Sequence, residues 1–196
     1  MTLNPLIILV AAVFTHNIAL TYLIGMCPML AMSRRVDSAV GMGVAVTFVM
    51  AIIGPLNWAV YRLLLVPTHS EVMSFLVFII VIASTVQLVE MLVSRFFPAL
   101  HASFGVFLPL ITVNCAVLAV SLFVMLREYT LWQTVAFSIG TGIGWGLATT
   151  VIAGVRERLA LVSDVPRDLR GAGITMVIAG ILALAFIGFS GMVAIQ

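Results

Sequence analysis

Two cysteines, one isolated glutamate and a few amides are the residues of this chain whose types and surroundings suggest chemistry. Cys27 lies in Gly25-Met26-Cys27-Pro28 and Cys115 in Asn114-Cys115-Ala116. Proline after the first thiol, and small or polar neighbours at both, predict that the helices are interrupted where the thiols sit. Three chemistries compete there. Free cysteines in apolar helices most often serve as small buried hydrophobes. A disulfide, structural or in a dithiol oxidoreductase, would have to form between separate apolar segments. Iron–sulfur ligation takes four thiolates for a full cluster, so two cysteines supply half and a second subunit must supply the rest. Glu90, in Val86-Gln87-Leu88-Val89-Glu90-Met91, has Gln87 one helical turn before it on the same face. An acid at membrane depth by default marks an ion or proton route, although Glu90 is only five residues from Arg95 and an interfacial position is the plain alternative. His16, Asn17, Asn57, Thr85, Thr112 and Asn114 are further polar groups in apolar surroundings, and each is also explained as a bridge between helices.

The elements that must carry these residues are set by where charge is missing. Of 196 residues 63% are hydrophobic and 8% charged, far too apolar for a soluble globule or a disordered chain. The sixteen Asp, Glu and Arg residues leave six long uncharged stretches: Met1 to Ser33, Ser38 to Tyr61, Val72 to Val89, Phe96 to Leu126, Tyr129 to Val155 and Gly171 to Gln196. Each is about the length, roughly 20 residues, that an α-helix needs to cross a bilayer. The sequence therefore predicts an all-α integral membrane protein with six transmembrane helices. The first stretch is read as a retained span, since it is too long for a signal peptide's apolar region and no cationic segment precedes it. Seven of the nine arginines fall in the loops after spans one, three and five, which places those loops in the cytoplasm and both termini outside, in the periplasm of a Gram-negative cell. The basic residues form no run, so nucleic acid binding has no support.

Turn chemistry marks the boundaries: Ser33 to Asp37 after span one, Pro67 to Glu71 before span three, Phe97-Pro98 after it, and Arg127-Glu128 between spans four and five. In the longest loop, Arg156 to Gly171, Ser163-Asp164-Val165-Pro166 is suited to cap a short interfacial helix. Breakers lie inside the spans at Gly25 and Pro28, Gly54-Pro55 and Pro109. Gly140, Gly142, Gly144 and Gly146 form two GxxxG pairs, for which tight helix packing is the favoured reading. The chain reads as one membrane domain of two three-helix halves, 1–98 and 99–196. An odd span number per half inverts the second, and the 88 residues from Cys27 to Cys115 would put the thiols at equivalent places in the two halves.

Several motifs together resemble one family. They are Asn17-Ile18-Ala19-Leu20 leading into Gly25-Met26-Cys27, Val86 to Met91, Gly105 to Ala116, Ile143-Gly144-Trp145, Arg156-Glu157-Arg158-Leu159, Asp164-Val165-Pro166 and Leu169-Arg170-Gly171. Along essentially its whole length the chain resembles the RnfA component of the Rnf complex and its homologue, the NqrE component of the sodium-translocating NADH:quinone oxidoreductase. Cys27-Pro28 and Gly41-Met42-Gly43 look Rnf-like, whereas Thr112-Val113-Asn114 and Gly142-Ile143-Gly144-Trp145 look closer to the quinone-reductase branch; the balance leans slightly to Rnf. The resemblance implies a six-helix bacterial inner-membrane subunit paired with a homologous, oppositely inserted partner, RnfE or NqrD. It also implies a 2Fe–2S cluster held between the two, with Cys27 and Cys115 as this chain's ligands.

The expected function is relay of single electrons across the membrane, between a cytoplasmic iron–sulfur or flavin donor and a flavinylated subunit, coupled to movement of Na+ or H+. An electron arriving at a low-dielectric site adds charge that a cation taken up nearby would offset. Glu90, Gln87 and Asn114 are the candidates for that ion path. No glycine-rich strand-to-helix fingerprint for a nicotinamide is present, so the chain is not expected to be a complete enzyme. A secondary transporter with inverted repeats and no redox centre is the alternative from another class.

Overall fold

In a computed structural model, residues 4–68, 73–96, 114–162 and 171–190 are described. Every regular element among them is helical. The elements are α1 (Pro5–Val13), α2 (Ile18–Thr21), α3 (Met26–Met32), α4 (Val36–Val60), α5 (Ser74–Phe96), α6 (Cys115–Leu126), α7 (Leu131–Val162) and α8 (Ala172–Ser190). Three helical stretches, Val36–Leu65, Ser74–Met91 and Leu131–Val162, are long and apolar enough to cross a membrane. Cys115–Leu126 and Ala172–Gly188 are shorter apolar helices. Leu6, Leu76, Ile80 and Leu184 point outward from these helices, as side chains facing hydrocarbon do.

The first uncharged stretch is three short helices rather than one. Pro5 opens α1 at a position where its missing N–H is no loss. The chain then breaks at Asn17, whose extended backbone and side-chain oxygen cap α2. It breaks again at Gly25, which takes the left-handed conformation (φ 87°) ahead of α3. The break at Gly25 follows the sequence expectation, while the one at Asn17 adds to it.

Other boundaries move outward. Helix α4 runs through Pro55 without ending, then continues past Tyr61 as a π-helical turn, Tyr61–Leu65, and a short α-helical turn, Val66–Thr68. Pro67 therefore lies in the tail of span two instead of opening span three. Arg62 is tolerated there because its guanidinium reaches over the Trp58 ring, 5.8 Å from the centroid. Helix α7 continues to Val162, seven residues beyond the expected end at Val155. Arg127 ends α6 and Glu128 turns the chain with φ 49°, at the expected boundary. The cap proposed at Ser163 to Pro166, and Pro98, Pro109 and Thr112, lie outside the described residues.

Helix α7 is the centre of the molecule, packed on α4 along one side and α1 along another. Its glycines divide this work. A Cβ at Gly146 would lie 3.0 Å from Gly43 Cα and one at Gly142 2.6 Å from Thr47 Cα, both on α4. A Cβ at Gly140 would lie 2.7 Å from Leu9 O and one at Gly144 3.1 Å from Ala12 O, both on α1. Each GxxxG pair thus makes one close helix approach, and the glycines pack rather than break. In a membrane this matters more than in water, because lipid chains are as apolar as leucine and only close packing and polar ties favour one helix neighbour over another. Polar ties fasten the end of the bundle where α3 meets α4. Arg156 of α7 donates to Ser33 Oγ (2.6 Å) and Leu30 O (3.4 Å), and Glu157 accepts from Val36 N–H (3.3 Å).

Candidate functional site

The broken first stretch meets the start of α6. Asn114 repeats the conformation of Asn17, with φ, ψ of −75°, 108° against −67°, 107°. Each asparagine side chain accepts from the backbone N–H two residues on: Asn114 Oδ1 from Ala116 (3.0 Å), Asn17 Oδ1 from Ala19 (3.1 Å). The shared pattern is Asn-x-Ala, in Asn17-Ile18-Ala19 and Asn114-Cys115-Ala116, and it is the local signal by which both helix starts could have been read. It also revises the placement of the thiols. Cys115 directly follows its cap, as Ile18 follows Asn17, whereas Cys27 lies ten residues beyond Asn17, in α3. By their caps the two cysteines are not at equivalent positions.

The segments that carry them nevertheless touch. Gly25 N–H donates to Cys115 Sγ at 3.0 Å, which sets the second thiol beside the turn that begins two residues before Cys27. The Gly25 carbonyl on the other side of the residue accepts from Trp145 Nε1 of α7 at 3.3 Å. Trp145 is fully buried, and neighbouring Gly144 O accepts from Asn17 Nδ2 at 2.8 Å. Gly144-Trp145 therefore ties both ends of the segment from Asn17 to Gly25 to the central helix. Both cysteines are free of a disulfide and exposed on the surface of this chain, while Ala116, Val117, Pro28 and Met29 beside them are buried. The arrangement is a two-thiol edge, open outward and backed by packed side chains.

Asn114 is 2% exposed, with its oxygen engaged in the cap and its Nδ2 without a partner among the described residues. Glu90 and Gln87 lie on α5, Glu90 half-buried and Gln87 exposed. Of the other polar groups, Asn57 bridges helices by donating to Ser121 Oγ (2.6 Å). His16 sits at the first break with its Nε2 buried and unpartnered among the described residues. Sequence reasoning did not find Trp145 or Arg156 as ties, because both act across more than 100 residues of chain.

An all-helical chain with three helices long and apolar enough to cross a membrane defines the class of α-helical membrane proteins. A family model described as Rnf-Nqr subunit, membrane protein, matches residues 6–193, and the chain belongs to that family. It is 44% identical over 195 residues to the E subunit of the Na(+)-translocating NADH-quinone reductase of Hahella chejuensis, covering 94% of this chain and 96% of the relative. It is 45% identical over 190 residues to the A subunit of the ion-translocating oxidoreductase complex of Syntrophotalea carbinolica, covering 97% and 98%. Both branches of the expected resemblance are thus present among its relatives.

Proposed function

We propose that this chain is a membrane subunit of an ion-translocating electron-transport complex, and that Cys27 and Cys115 are its share of the ligands of a 2Fe–2S cluster held jointly with a homologous, oppositely inserted subunit. The observation that carries the reading is the Gly25 N–H to Cys115 Sγ hydrogen bond, which brings together two helix starts that carry the exposed cysteines. The donor set fits half a cluster. Among the described residues no three His, Cys, Asp or Glu groups converge, and a full cluster takes four thiolates, so the remaining two must come from outside this chain.

Such a cluster, when bound, accepts and releases one electron at a time. This chain's residues supply the rest. Cys27 and Cys115 bind; Asn114, by capping α6, fixes the direction in which Cys115 leaves the backbone. Buried Ala116, Val117 and Met29 keep water from the rear of the site. The Gly25 N–H presents a positive dipole end where negative charge arrives. Glu90, with Gln87 a turn before it, offers the carboxylate and amide oxygens a cation would use on its path, and the single free lone pair of Asn114 Oδ1 is a further, weaker acceptor.

The surrounding architecture follows the same reading. Six spans form two inverted halves, 1–98 and 99–196, of one domain in the bacterial inner membrane, with the arginine-rich loops in the cytoplasm and both termini in the periplasm. The test is composition of the purified heterodimer, co-expressed with its homologous membrane partner. Iron and acid-labile sulfide at about two each per heterodimer are expected for one 2Fe–2S centre. An intact heterodimer without either overturns the proposal.

A further inference from the structure

The geometry points to Trp145 as a positioning residue that sets the reduction potential of the centre held by Cys115, acting through Gly25. This rests on the ligand role proposed for Cys115. Trp145 is 0% exposed, and its only polar atom, Nε1, is spent on the Gly25 carbonyl. Gly25 sits at φ 87°, ψ 23°, a conformation in which its N–H and C=O serve different partners: the N–H goes to Cys115 Sγ and the C=O to the indole. Space enforces the choice of residue as strictly as the dihedral does. A Cβ at position 25 would meet Trp145 Nε1 at 2.6 Å and Ala116 Cβ at 3.1 Å. The indole therefore holds Gly25 in the one orientation that aims its N–H at the sulfur.

Hydrogen bonds to ligand sulfurs are a principal lever on the potential of an iron–sulfur centre. One electron added to the centre raises the negative charge on its sulfur ligands, so an N–H aimed at Cys115 Sγ stabilises the reduced form more than the oxidised one. Without the indole N–H, the Gly25 carbonyl loses its anchor and the residue is free to rotate its N–H off the sulfur. The reduced form then loses stabilisation, and the potential falls.

The experiment uses the complex assembled with its partner subunits, unaltered and as the Trp145→Phe variant, which keeps an aromatic ring and removes the donor. Redox titration followed by EPR, with iron content measured in parallel, is expected to show the centre retained. Its one-electron reduction equilibrium should shift about tenfold toward the oxidised form, about 59 mV lower. A retained centre at the unaltered potential overturns the inference. Should the variant fail to assemble, pulsed EPR on the unaltered complex grown with isotope-labelled glycine decides. Hyperfine coupling to a glycine peptide nitrogen supports the inference, and no such coupling overturns it. A complex with no cluster signal in either form rejects the ligand role itself, an outcome distinct from a cluster whose potential ignores Trp145.

Discussion

Replacing Asn17 by Ala removes three hydrogen bonds at once from a side chain that is 0% exposed: donations to Gly144 O (2.8 Å) and Val13 O (3.1 Å), and acceptance from Ala19 N–H (3.1 Å). Loss of an N-cap of this kind costs about 1 kcal/mol. Leaving a buried carbonyl such as Gly144 O without its partner costs a further ~1–3 kcal/mol. Hydrogen bonds between membrane helices measure lower, ~0.6 kcal/mol on average, because the unfolded chain in lipid finds other partners. A loss of about 2 kcal/mol is the resulting expectation, drawn between these limits. Unfolding of the protein in mixed detergent micelles, compared among Asn17→Ala, Asn17→Asp and Leu6→Ala, reads it out. Leu6 is 74% exposed, so its variant should stay within ~0.5 kcal/mol of the unaltered protein. Asn17→Asp keeps the acceptor for Ala19 and loses the donations, which separates the cap from the tie to α7. If Asn17→Ala were no more destabilising than Leu6→Ala, the assignment of Asn17 as the tie that holds the first break would be refuted.

Three further outcomes follow from the packing and the half-buried acid on α5. Gly146→Leu places a side chain where a Cβ alone would be 3.0 Å from Gly43, so α4 and α7 must separate; a loss of about 3 kcal/mol or failure to assemble is expected, visible as lost heterodimer on size exclusion. Arg156→Ala strips charge-assisted bonds from Ser33 Oγ and Leu30 O and should cost ~1.5–3 kcal/mol in the same unfolding assay, with Arg156→Lys restoring only part because a single ammonium cannot repeat the guanidinium's fork. Glu90→Gln removes the carboxylate on α5 while keeping its shape; ion transport by the complex in vesicles should fall at least tenfold with cluster content unchanged, and unaltered transport would remove Glu90 from the ion path.

Much of the helical layout is legible in the sequence because lipid forbids charge. The stretches Ser38 to Tyr61, Val72 to Val89 and Tyr129 to Val155 each contain the body of a long apolar helix, α4, α5 and α7. Their ends are less legible, since a charge stops a hydrophobic count without stopping a helix. Arg62 stays within the helical tail of α4 by lying over Trp58, and Arg156 stays within α7 by bonding to the end of α3. The glycines of α7 were readable as packing surfaces, but their division between two neighbouring helices depends on which faces meet. The break at Asn17 was visible only as a polar residue at depth. Its capping geometry becomes a signal once Asn17-Ile18-Ala19 is set beside Asn114-Cys115-Ala116. The meeting of Gly25, Cys115 and Trp145 joins segments 90 and 120 residues apart, and no local pattern encodes it.

The most direct measurement is the EPR spectrum of the reduced, assembled complex with Cys27→Ala or Cys115→Ala in this chain alone. Loss of one 2Fe–2S signal in each variant, with the heterodimer intact and the other centres of the complex unchanged, is expected if the two thiols share one cluster. A full set of cluster signals in either variant would contradict it.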